Sequence, residues 1–392
     1  MNVLIYAHDF APSVGGVETV VMMLARGLSR QPSERTGKAI QVTVVTQTAA
    51  GNFRDEELAF RVVRRPGVWG LWGLMRRADV VHLAGPAFLP LAMGLVVGKK
   101  VVVEHHGFQA ICPNGQMFYE PSQTPCPGHF MAGRHLKCLQ CNKRMGTTVS
   151  AKLWLSTFIR RWLARRANLQ IAPTHWLASK LKMNGVRTIF HGVPEKAADC
   201  MLPCSTEPPH VVFLGRLVTT KGVGTLLEAV AGVRQCGRDL RVDVIGDGPE
   251  RKSLEVRARE LGMAKTVNFR GRLDEDQVDR LCAGALCVAM PSLGGEVFGL
   301  VAAEQMMKGR AMVVTEGEAL AEVVGEAGLV FPAGDAVALK HRLEQLLDEQ
   351  GLAVRLGTLG RQRAIDFFRV QRMIDGHFAA YQDVLGGGSS HC

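Results

Sequence analysis

Hydrophobic residues along the chain form short continuous runs, each followed by a glycine-containing loop and then by a stretch with helical periodicity. Continuous apolar runs are typical of parallel strands that other elements cover on both faces. The runs of the first half predict strands at 2–7, 41–47, 79–84, 100–106 and 187–191. Those of the second half predict strands at 211–215, 241–248, 266–271, 286–292, 311–316 and 328–331.

A proline-rich stretch with little periodicity separates the two halves and is predicted to be a linker. The fold class predicted is α/β, with two Rossmann-like, doubly wound parallel-sheet domains that face each other across a cleft. The predicted parts are an N-terminal domain at 1–195 with a cysteine-rich insertion at 107–148, the linker at 196–209, a C-terminal domain at 210–368, a helix at 369–385 that packs back on the N-terminal domain, and a flexible tail at 386–392.

Composition narrows the class of protein further. A chain that is 47% hydrophobic and 21% charged can bury two cores, which excludes a disordered protein. The net charge of +11 permits anionic partners, namely nucleotides, nucleic acid or an acidic membrane surface. The first residues lack the basic start and the long apolar run of a signal peptide, so a cytoplasmic location is expected, including the inner face of the membrane.

The segment "GGEVFGLVAAEQMMKG" (294–309) has the pattern of an anion-binding loop that opens a helix. Its glycines allow the backbone to approach a ligand closely, and the helix is predicted to begin near Gly299. The amides of Gly299, Leu300 and Val301 would then lack helical partners. With the positive end of the helix dipole, they would suit a phosphate group.

Charged side chains accompany this loop. Glu304 lies further along the predicted helix and could accept hydrogen bonds from a ribose diol, while Glu296 could face whatever extends beyond a diphosphate. Arg216 and Lys221 follow another predicted strand and could close on the same diphosphate. Gly248, in the loop "GDGPE", belongs to a third loop at the same edge of the sheet. These residues predict a binding site for a nucleoside diphosphate.

In the first half, Gly15 and Gly16 end the loop after the first strand and could approach the same phosphates. This loop does not fit the dinucleotide motif G-x-G-x-x-G, which argues against NAD binding. The motifs "GGVET", "GRLVTTKG", "VIGDGPE", "VNFRGRL", "PSLGGEVFGLVAAEQMMKG" and "EAGLVF" occur in this order. Together they resemble the family-4 retaining glycosyltransferases of the GT-B fold, over nearly the whole chain and most strongly over 211–335.

The resemblance implies a role for each matching residue. Glu304 resembles the acid that holds the nucleotide ribose, and Glu296 resembles the one that faces the donor sugar. Arg216 and Lys221 resemble the pair that neutralises the leaving diphosphate, and Gly16 resembles a glycine near it. The family's catalytic histidine corresponds to His106, with its neighbour His105 as the alternative.

The reaction that the resemblance implies is transfer of a sugar with retention at the anomeric carbon, without a metal cofactor for catalysis. The donor would be a UDP- or GDP-linked sugar, and the acceptor a glycan or a lipid-linked acceptor of polysaccharide or cell-envelope synthesis. One departure from the family pattern is "HGVP" (191–194), where the family often has "NGVD". It puts acceptor or hinge detail in doubt and leaves the donor chemistry intact.

The insertion at 107–148 contains four cysteines, the last two in a C-x-x-C spacing: Cys112, Cys126, Cys138 and Cys141. Four soft ligands could hold a structural zinc ion and so give shape to a long loop. Reduced structural thiols, disulfides or an iron–sulfur cluster are the alternatives that the spacing leaves open.

The stretch 150–166 predicts a basic amphipathic helix, with aromatic residues at helical spacing beside several arginines. Such a helix suits an anionic membrane surface, although a core-packed helix with a solvated basic face has the same pattern. Two other functions remain as alternatives, a sugar-nucleotide epimerase of the same fold and a basic, zinc-containing nucleic-acid-binding protein. Nucleic acid is not the expected partner, because aromatic and basic residues do not interleave along the rest of the chain.

Overall fold

The computed structural model describes residues 1–32, 39–196 and 207–386. These residues form two compact units, of which the first comprises 1–116, 128–192 and the stretch from Phe368 onward. The second comprises 117–127 and 193–367. Most of the predicted linker, and all but the first residue of the predicted tail, lie outside the described residues.

Strands and helices alternate through the first half of the chain, as the hydrophobic pattern predicts. In chain order they are β1 (Asn2–Tyr6), α1 (Gly16–Arg30), β2 (Gln41–Thr46), β3 (Arg61–Arg64), α2 (Val68–Arg77), β4 (Val80–Ala84), α3 (Phe88–Val96), β5 (Lys100–Glu104), β6 (Phe118–Tyr119), β7 (Thr124–Pro125), α4 (His135–Cys141), α5 (Thr147–Ala164), β8 (Leu169–Ala172), α6 (His175–Leu181) and β9 (Val186–Thr188). Short 3₁₀ turns lie at Asp55–Glu57 and Lys143–Met145.

The first unit contains a seven-stranded sheet in the order β3-β2-β1-β4-β5-β8-β9, and every neighbouring pair is parallel. The central strand β1 pairs with β2 on one side, Val3 opposite Val42, and with β4 on the other, Val3 opposite Val80. Continuous burial of these strands explains their apolar sequences. The strand order changes direction between β1 and β4, and ligands of such sheets bind at that point, beyond the carboxyl ends of the strands.

The second half repeats the alternation. Its elements are β10 (His210–Leu214), α7 (Val223–Gln235), β11 (Arg241–Ile245), α8 (Arg251–Glu260), β12 (Val267–Gly271), α9 (Glu275–Ala283), β13 (Cys287–Met290), α10 (Leu300–Met307), β14 (Met312–Thr315), α11 (Ala319–Val324), β15 (Gly328–Phe331), α12 (Ala336–Asp348), α13 (Leu352–Phe367) and α14 (Val370–Gly386). Short 3₁₀ turns lie at Thr219–Lys221 and Gly325–Ala327.

The second unit contains a six-stranded parallel sheet in the order β12-β11-β10-β13-β14-β15. Its strand order changes direction between β10 and β13. Val211 of β10 is opposite Val242 on one side and Cys287 on the other, and all three side chains are buried. The short hairpin of β6 and β7 is antiparallel and groups with this unit.

Helix α14 belongs to the first unit, although it comes last among the described elements. It packs against α1, where Ile374 occupies the space that a side chain at Gly27 would fill. The backbone amide of Gly192 also meets the sulfur of Met373 at 3.2 Å. Among the helices of the described residues, none has the length and apolar composition that crossing a membrane requires.

The structure corrects several predicted elements. Strands β3 ("RVVR") and β8 ("LQIA") were not predicted, because a four-residue run interrupted by polar residues gives little periodic signal. The strand predicted at 187–191 is shorter and ends at Thr188. The insertion predicted as a long loop contains regular elements, namely the hairpin of β6 and β7, helix α4 and the first two residues of α5.

Candidate functional site

Three loops of the second unit lie at the carboxyl ends of β10, β11 and β13, which are neighbours in the sheet. The loop after β10 contains Arg216 and Lys221, and the loop after β11 contains Gly248. The loop after β13 leads through Glu296 to helix α10. Because β10 and β13 flank the change in strand order, these loops form the ligand position expected of a doubly wound sheet.

Backbone hydrogen bonds hold the three loops together. The amide of Leu217 donates to Asp247 at 3.0 Å, and the amide of Glu250 donates to the carbonyl of Leu217 at 3.1 Å. On the other side, the amide of Leu293 donates to the carbonyl of Thr220 at 2.7 Å. The loops therefore form one connected surface rather than three independent segments.

Glycine is required at two of the contacts between loops. Gly222 has a φ of +64°, and a side chain there would overlap the carbonyl oxygen of Pro291. At Gly248, which was predicted from the sequence to contribute to the donor site, a side chain would overlap the carbonyl oxygen of Leu217. The glycines of these motifs thus let one loop lie directly against the next.

Helix α10 begins as the sequence predicts. Gly299 is its N-cap, with a φ of +91°, and the first helical hydrogen bond runs from Ala303 to the carbonyl of Gly299. The amides of Leu300, Val301 and Ala302 precede that bond and have no helical acceptor. They lie at the positive end of the helix dipole, where an anion is stabilised.

Glu304 lies in the second turn of α10. Burial raises the pKa of its carboxyl above the ordinary value, and the opposing effect of nearby Lys308 does not cancel that shift. Its side chain makes no hydrogen bond or ion pair with any residue that the structure describes. A half-buried carboxylate without a partner is costly, and two hydroxyl donors of a ligand would satisfy it.

Glu296 is more deeply buried and is paired. Lys221 forms an ion pair with its Oε1, and the hydroxyl of Ser292 lies 3.4 Å from the same oxygen. The sequence placed Lys221 and Glu296 in one site but did not predict that they contact each other. Each therefore holds the other in position beside the start of α10.

Arg216, in contrast, is exposed and its side chain has no partner among the described residues. It follows β10 directly, in the same loop as Lys221. The structure thus places seven of the predicted donor-site residues on one connected set of loops: Arg216, Lys221, Gly248, Glu296, Gly299, Leu300 and Val301.

The first unit has a similar helix start after β1. Gly15 is the N-cap of α1, and Gly16 is its first residue. The first helical bond runs from Thr19 to the carbonyl of Gly15, at 3.1 Å, so the amides of Gly16 and Val17 precede it. The predicted contact of Gly15 and Gly16 with phosphate stays a prediction.

The two histidines after β5 differ in their surroundings. His105 is fully buried, and its Nε2 lies 2.8 Å from the side-chain oxygen of Gln170. His106 stacks on His191, with ring centroids 5.0 Å apart, and its Nε2 lies 3.2 Å from Glu104. The role that the family resemblance gives to His106 stays a prediction.

A cluster of imidazoles around Glu104 is the largest feature that the sequence analysis missed. Glu104 is fully buried, and the Nε2 atoms of His82, His106 and His377 lie 3.1, 3.2 and 3.3 Å from its Oε2. The Nε2 atom of His191 lies 3.4 Å from Oε1 of Glu104. These imidazoles hold the pKa of Glu104 well below its ordinary value although burial acts in the opposite direction. The sequence did contain a sign of this cluster, namely polar residues inside two otherwise apolar runs, "VVHLA" and "VVVEHH".

The predicted cysteine ligands lie in different parts of the insertion. Cys112, Cys138 and Cys141 are buried in the first unit, and Cys126 is half-buried in the segment that groups with the second unit. The side chain of Asn114 contacts two of these sulfurs, Cys112 at 2.9 Å and Cys141 at 3.3 Å. No disulfide joins any two of these four cysteines in the structure.

Helix α5 covers most of the predicted basic amphipathic stretch. Leu155 and Trp162 are exposed on it, and the guanidinium of Arg166 lies 3.5 Å from the Trp162 ring. Trp154 instead packs edge to face against Phe158, with ring centroids 5.0 Å apart. The structure also corrects the predicted basic face at one position, since Arg161 is buried.

The guanidinium of Arg161 donates to the carbonyls of Leu181 and Lys182, at 2.6 and 2.9 Å. These contacts stabilise the carboxyl end of α6. Burial lowers the pKa of Arg161 to about 10. This residue therefore belongs to the structure of the first unit rather than to a solvated basic face.

Comparison with known families gives two matches along the chain. Residues 14–195 match the family described as Glycosyltransferase Family 4, and residues 202–363 match the family described as Glycosyl transferases group 1. Among characterised relatives, the chain is 32% identical over 184 residues to phosphatidyl-myo-inositol mannosyltransferase of Mycobacterium leprae. That alignment covers 46% of this chain and 48% of the relative, about half of each.

Solved structures agree on the fold. Sucrose-phosphate synthase from Thermosynechococcus elongatus is similar with a TM-score of 0.75 and 19% identity, over 99% of this chain and 100% of that one. HepE of Anabaena, solved in complex with UDP and glucose, is similar with a TM-score of 0.71 and 17% identity, over 98% and 100%. With the two parallel sheets described above, these similarities confirm the predicted GT-B fold class.

Proposed function

Since this chain belongs to the family-4, group 1 glycosyltransferases, we propose that it transfers a sugar, with retention, from a nucleoside diphosphate sugar to a glycan or lipid-linked acceptor. One observation carries the proposal: an unpartnered, half-buried carboxylate, Glu304, lies one turn beyond the unpaired amides that open α10. Amides at a helix start bind phosphate, and a carboxylate beyond them binds a ribose diol. This is the ligand chemistry of a nucleoside diphosphate.

Charge separation at the leaving group is the chemical problem of this reaction. As the glycosidic bond to the diphosphate breaks, negative charge accumulates on the phosphate oxygens. The amides of Leu300 and Val301 would stabilise that charge from fixed positions, and the side chains of Arg216 and Lys221 would close on it. The backbone hydrogen bonds between the loops support this role, because they hold the amides and the start of each side chain in place before the donor binds.

The pair of Lys221 and Glu296 gives the site a means of responding to the donor. An arriving diphosphate competes with the carboxylate for Lys221, and Glu296 would then turn toward the hydroxyl groups of the sugar. We assign Glu296 to positioning of the donor and not to covalent catalysis. His106 and the loop of Gly15 and Gly16, in the first unit, complete the proposed set of residues through the family resemblance.

The solved structures with a similar fold suggest which nucleotide sugars to test first as donors. HepE of Anabaena has been solved with UDP and with UDP-glucose, so UDP-sugars are the first donors to test, followed by GDP-sugars. The relative from Mycobacterium leprae is named for transfer to a phosphatidyl-inositol, which supports testing lipid-linked acceptors.

A screen of nucleotide sugars tests the proposal. Thermal unfolding is measured with each donor, product formation is followed with acceptor extracts, and NMR of the product gives the anomeric configuration. We expect stabilisation by one class of nucleotide sugar, loss of that stabilisation in Glu304→Ala, and retention in the product. Conversion of the donor without any acceptor would instead indicate an epimerase, and an inverted product would exclude retention.

We also propose that helix α5 contacts an anionic membrane surface that presents the acceptor. Its exposed apolar residues, Leu155, Ile159 and Trp162, lie at helical spacing beside Arg165 and Arg166. Co-sedimentation with anionic vesicles should exceed that with neutral vesicles and should fall in Trp162→Ala. Equal sedimentation of the two proteins with both kinds of vesicle would exclude this surface.

We further propose that the cysteines of the insertion bind a structural zinc ion. The C-x-x-C on α4, whose two cysteines are both buried, supports this. Zinc should be present in freshly purified protein and should decrease in the double variant Cys138→Ser, Cys141→Ser. A folded, reduced protein without zinc would exclude the site.

A further inference from the structure

A second group of chemically active side chains lies in the first unit, around Glu104, and donor binding by the second unit does not use it. Glu104 ends β5, His82 lies in β4 and His377 lies in α14. The three side chains are fully buried, and their ligand atoms all lie within 4.8 Å of one another. We propose that His82, Glu104 and His377 bind a divalent transition-metal ion, with Zn²⁺ the best match, and that this ion fastens α14 to the sheet.

The distances between these atoms are those of ligands around a metal. The Nε2 atoms of His82 and His377 lie 3.1 and 3.3 Å from Oε2 of Glu104, yet none of the three atoms has a hydrogen-bond partner. Two ligands of one tetrahedral zinc ion are separated by roughly 3.3 Å, because each lies about 2.0–2.2 Å from the metal. A metal ion bound by all three side chains would explain why these atoms lie so close together without a hydrogen bond.

The orientation of His377 supports a metal ligand. Its Nδ1 lies 2.8 Å from the backbone carbonyl of Met373. A carbonyl only accepts hydrogen bonds, so Nδ1 carries a proton, and Nε2, the atom that faces Glu104, is the one available to a metal. Metal-binding histidines in proteins show this arrangement, in which the second ring nitrogen donates to a carbonyl.

Tyr381, which lies on the same helix as His377, contacts His82. Its hydroxyl lies 2.8 Å from Nδ1 of His82, and both side chains are fully buried. Tyr381 lies one turn beyond His377 on α14, so a single helix supplies one ligand and the residue that orients another. A residue that hydrogen-bonds the second ring nitrogen in this way fixes the orientation of a metal-binding histidine.

A cation at this position would also balance the charge of the buried carboxylate. Every ion-pair contact that the structure gives Glu104 comes from a histidine, and no lysine or arginine of the described residues approaches it. A fully buried carboxylate without a fixed cation is costly. Two imidazoles and one carboxylate are also a ligand set that zinc and non-haem iron use.

A second set of three, Glu104 with His106 and His191, shares the carboxylate. We place the ion in the first set because both of its histidines are anchored at Nδ1, whereas Nδ1 of His106 has no hydrogen bond. His106 is also the histidine that the family resemblance assigns to the transfer reaction. The proposed ion therefore takes no histidine ligand from the residues assigned to that reaction.

The test is metal uptake by protein that has been stripped with a chelator and titrated with Co²⁺ or Zn²⁺. We expect wild type to bind about one equivalent more than His377→Gln. The Co²⁺ difference spectrum between the two should lack the intense sulfur charge-transfer band that cysteine ligands would give. His105→Gln is the matched control, because His105 is buried nearby but contacts Gln170 instead, and it should bind as wild type does.

Tyr381→Phe provides a finer test, with an expected loss of about 10–100-fold in metal affinity at unchanged stoichiometry. X-ray absorption of zinc-loaded wild type decides the matter even if His377→Gln does not fold, because nitrogen and oxygen neighbours differ from sulfur. Equal uptake by wild type and His377→Gln, or zinc surrounded by sulfur alone, would overturn the proposal. The cluster would then be a carboxylate paired with a protonated imidazole.

Discussion

The loops around α10 in the second unit and the cluster around Glu104 in the first unit both remove carboxylates from water, but they compensate the charge differently. Glu296 is paired with Lys221, whose charge is fixed, and Glu304 in the next helix has no partner among the described residues. Glu104 is surrounded by histidines, whose charge depends on protonation or on a bound ion.

The difference separates a ligand site from a site that stabilises the fold. A carboxylate that lacks a partner costs folding free energy and is retained where a ligand will satisfy it. A carboxylate whose neighbours come from three elements joins those elements. The number of internal contacts therefore separates Glu104 from Glu304, whereas burial by itself does not.

The largest effect is expected at the phosphate end of the donor site. Arg216→Ala should reduce turnover by about 10²–10³-fold, because it removes one charged donor to the leaving group. Folding should be unaffected, since Arg216 is exposed and makes no side-chain contact within the described residues. Steady-state kinetics and thermal unfolding measure the two quantities. Arg259→Ala, another exposed arginine of the same unit, is the control, and wild-type turnover in Arg216→Ala would refute the assignment.

The substitution Glu104→Gln tests the other side of the comparison. It removes the central charge of a buried cluster, so we expect a loss on the order of 3 kcal/mol in the free energy of unfolding. Denaturant unfolding measures this, with Glu56→Gln, an exposed acid of the first unit, as the control. Equal stability of the two variants would show that Glu104 does not join the elements around it.

Glu304 should respond to the same substitution with the opposite sign. Its folded-state pKa is raised by burial, so the ionised form costs stability above the ordinary pKa and the cost disappears in acid. Glu304→Gln should therefore unfold at a higher temperature than wild type at pH 7 and at the same temperature near pH 4. A variant that is less stable at pH 7 would show that the carboxylate has a partner.

The same residue links stability to binding. Nucleotide affinity should fall about tenfold to hundredfold in Glu304→Ala, because two hydrogen bonds to a charged group are lost. Calorimetric titration with UDP and with GDP measures this. Unchanged affinity for both nucleotides would exclude the ribose role.

The smallest effect concerns the backbone that supports Lys221. Gly222→Ala should destabilise the second unit by about 1–3 kcal/mol, because the new side chain meets Pro291 at a positive φ. Gly224→Ala, two residues further and in open space within α7, should be neutral or slightly stabilising. Urea unfolding of the two proteins compares them, and similar stability would show that the loops can separate without cost.

Much of this fold could be predicted, because parallel strands buried on both faces are continuous apolar runs and their loops contain glycine. Strand β3 was missed since its ends are arginines, and β8 was missed since polar Gln170 interrupts a very short run. The start of α10 was predicted correctly, because its amides and its N-cap Gly299 follow from local sequence alone.

The Glu104 cluster could not be predicted in the same way. Its members come from β4, β5, the segment after β9 and α14, and only the folded topology brings them together. The pair of Lys221 and Glu296 has the same origin, since the two residues are 75 positions apart. Local patterns identify which residues are able to take part in binding or catalysis. Long-range packing decides which of them come into contact.

Helix α14 is made after the whole second unit, yet it contributes part of the core of the first. On the ribosome, residues 193–367 emerge and can fold while the first unit still lacks this helix. The order of completion is therefore the reverse of the order of synthesis. A chain released before α14 would carry a finished second unit beside a first unit whose surface on α1 is exposed to chaperones and proteases.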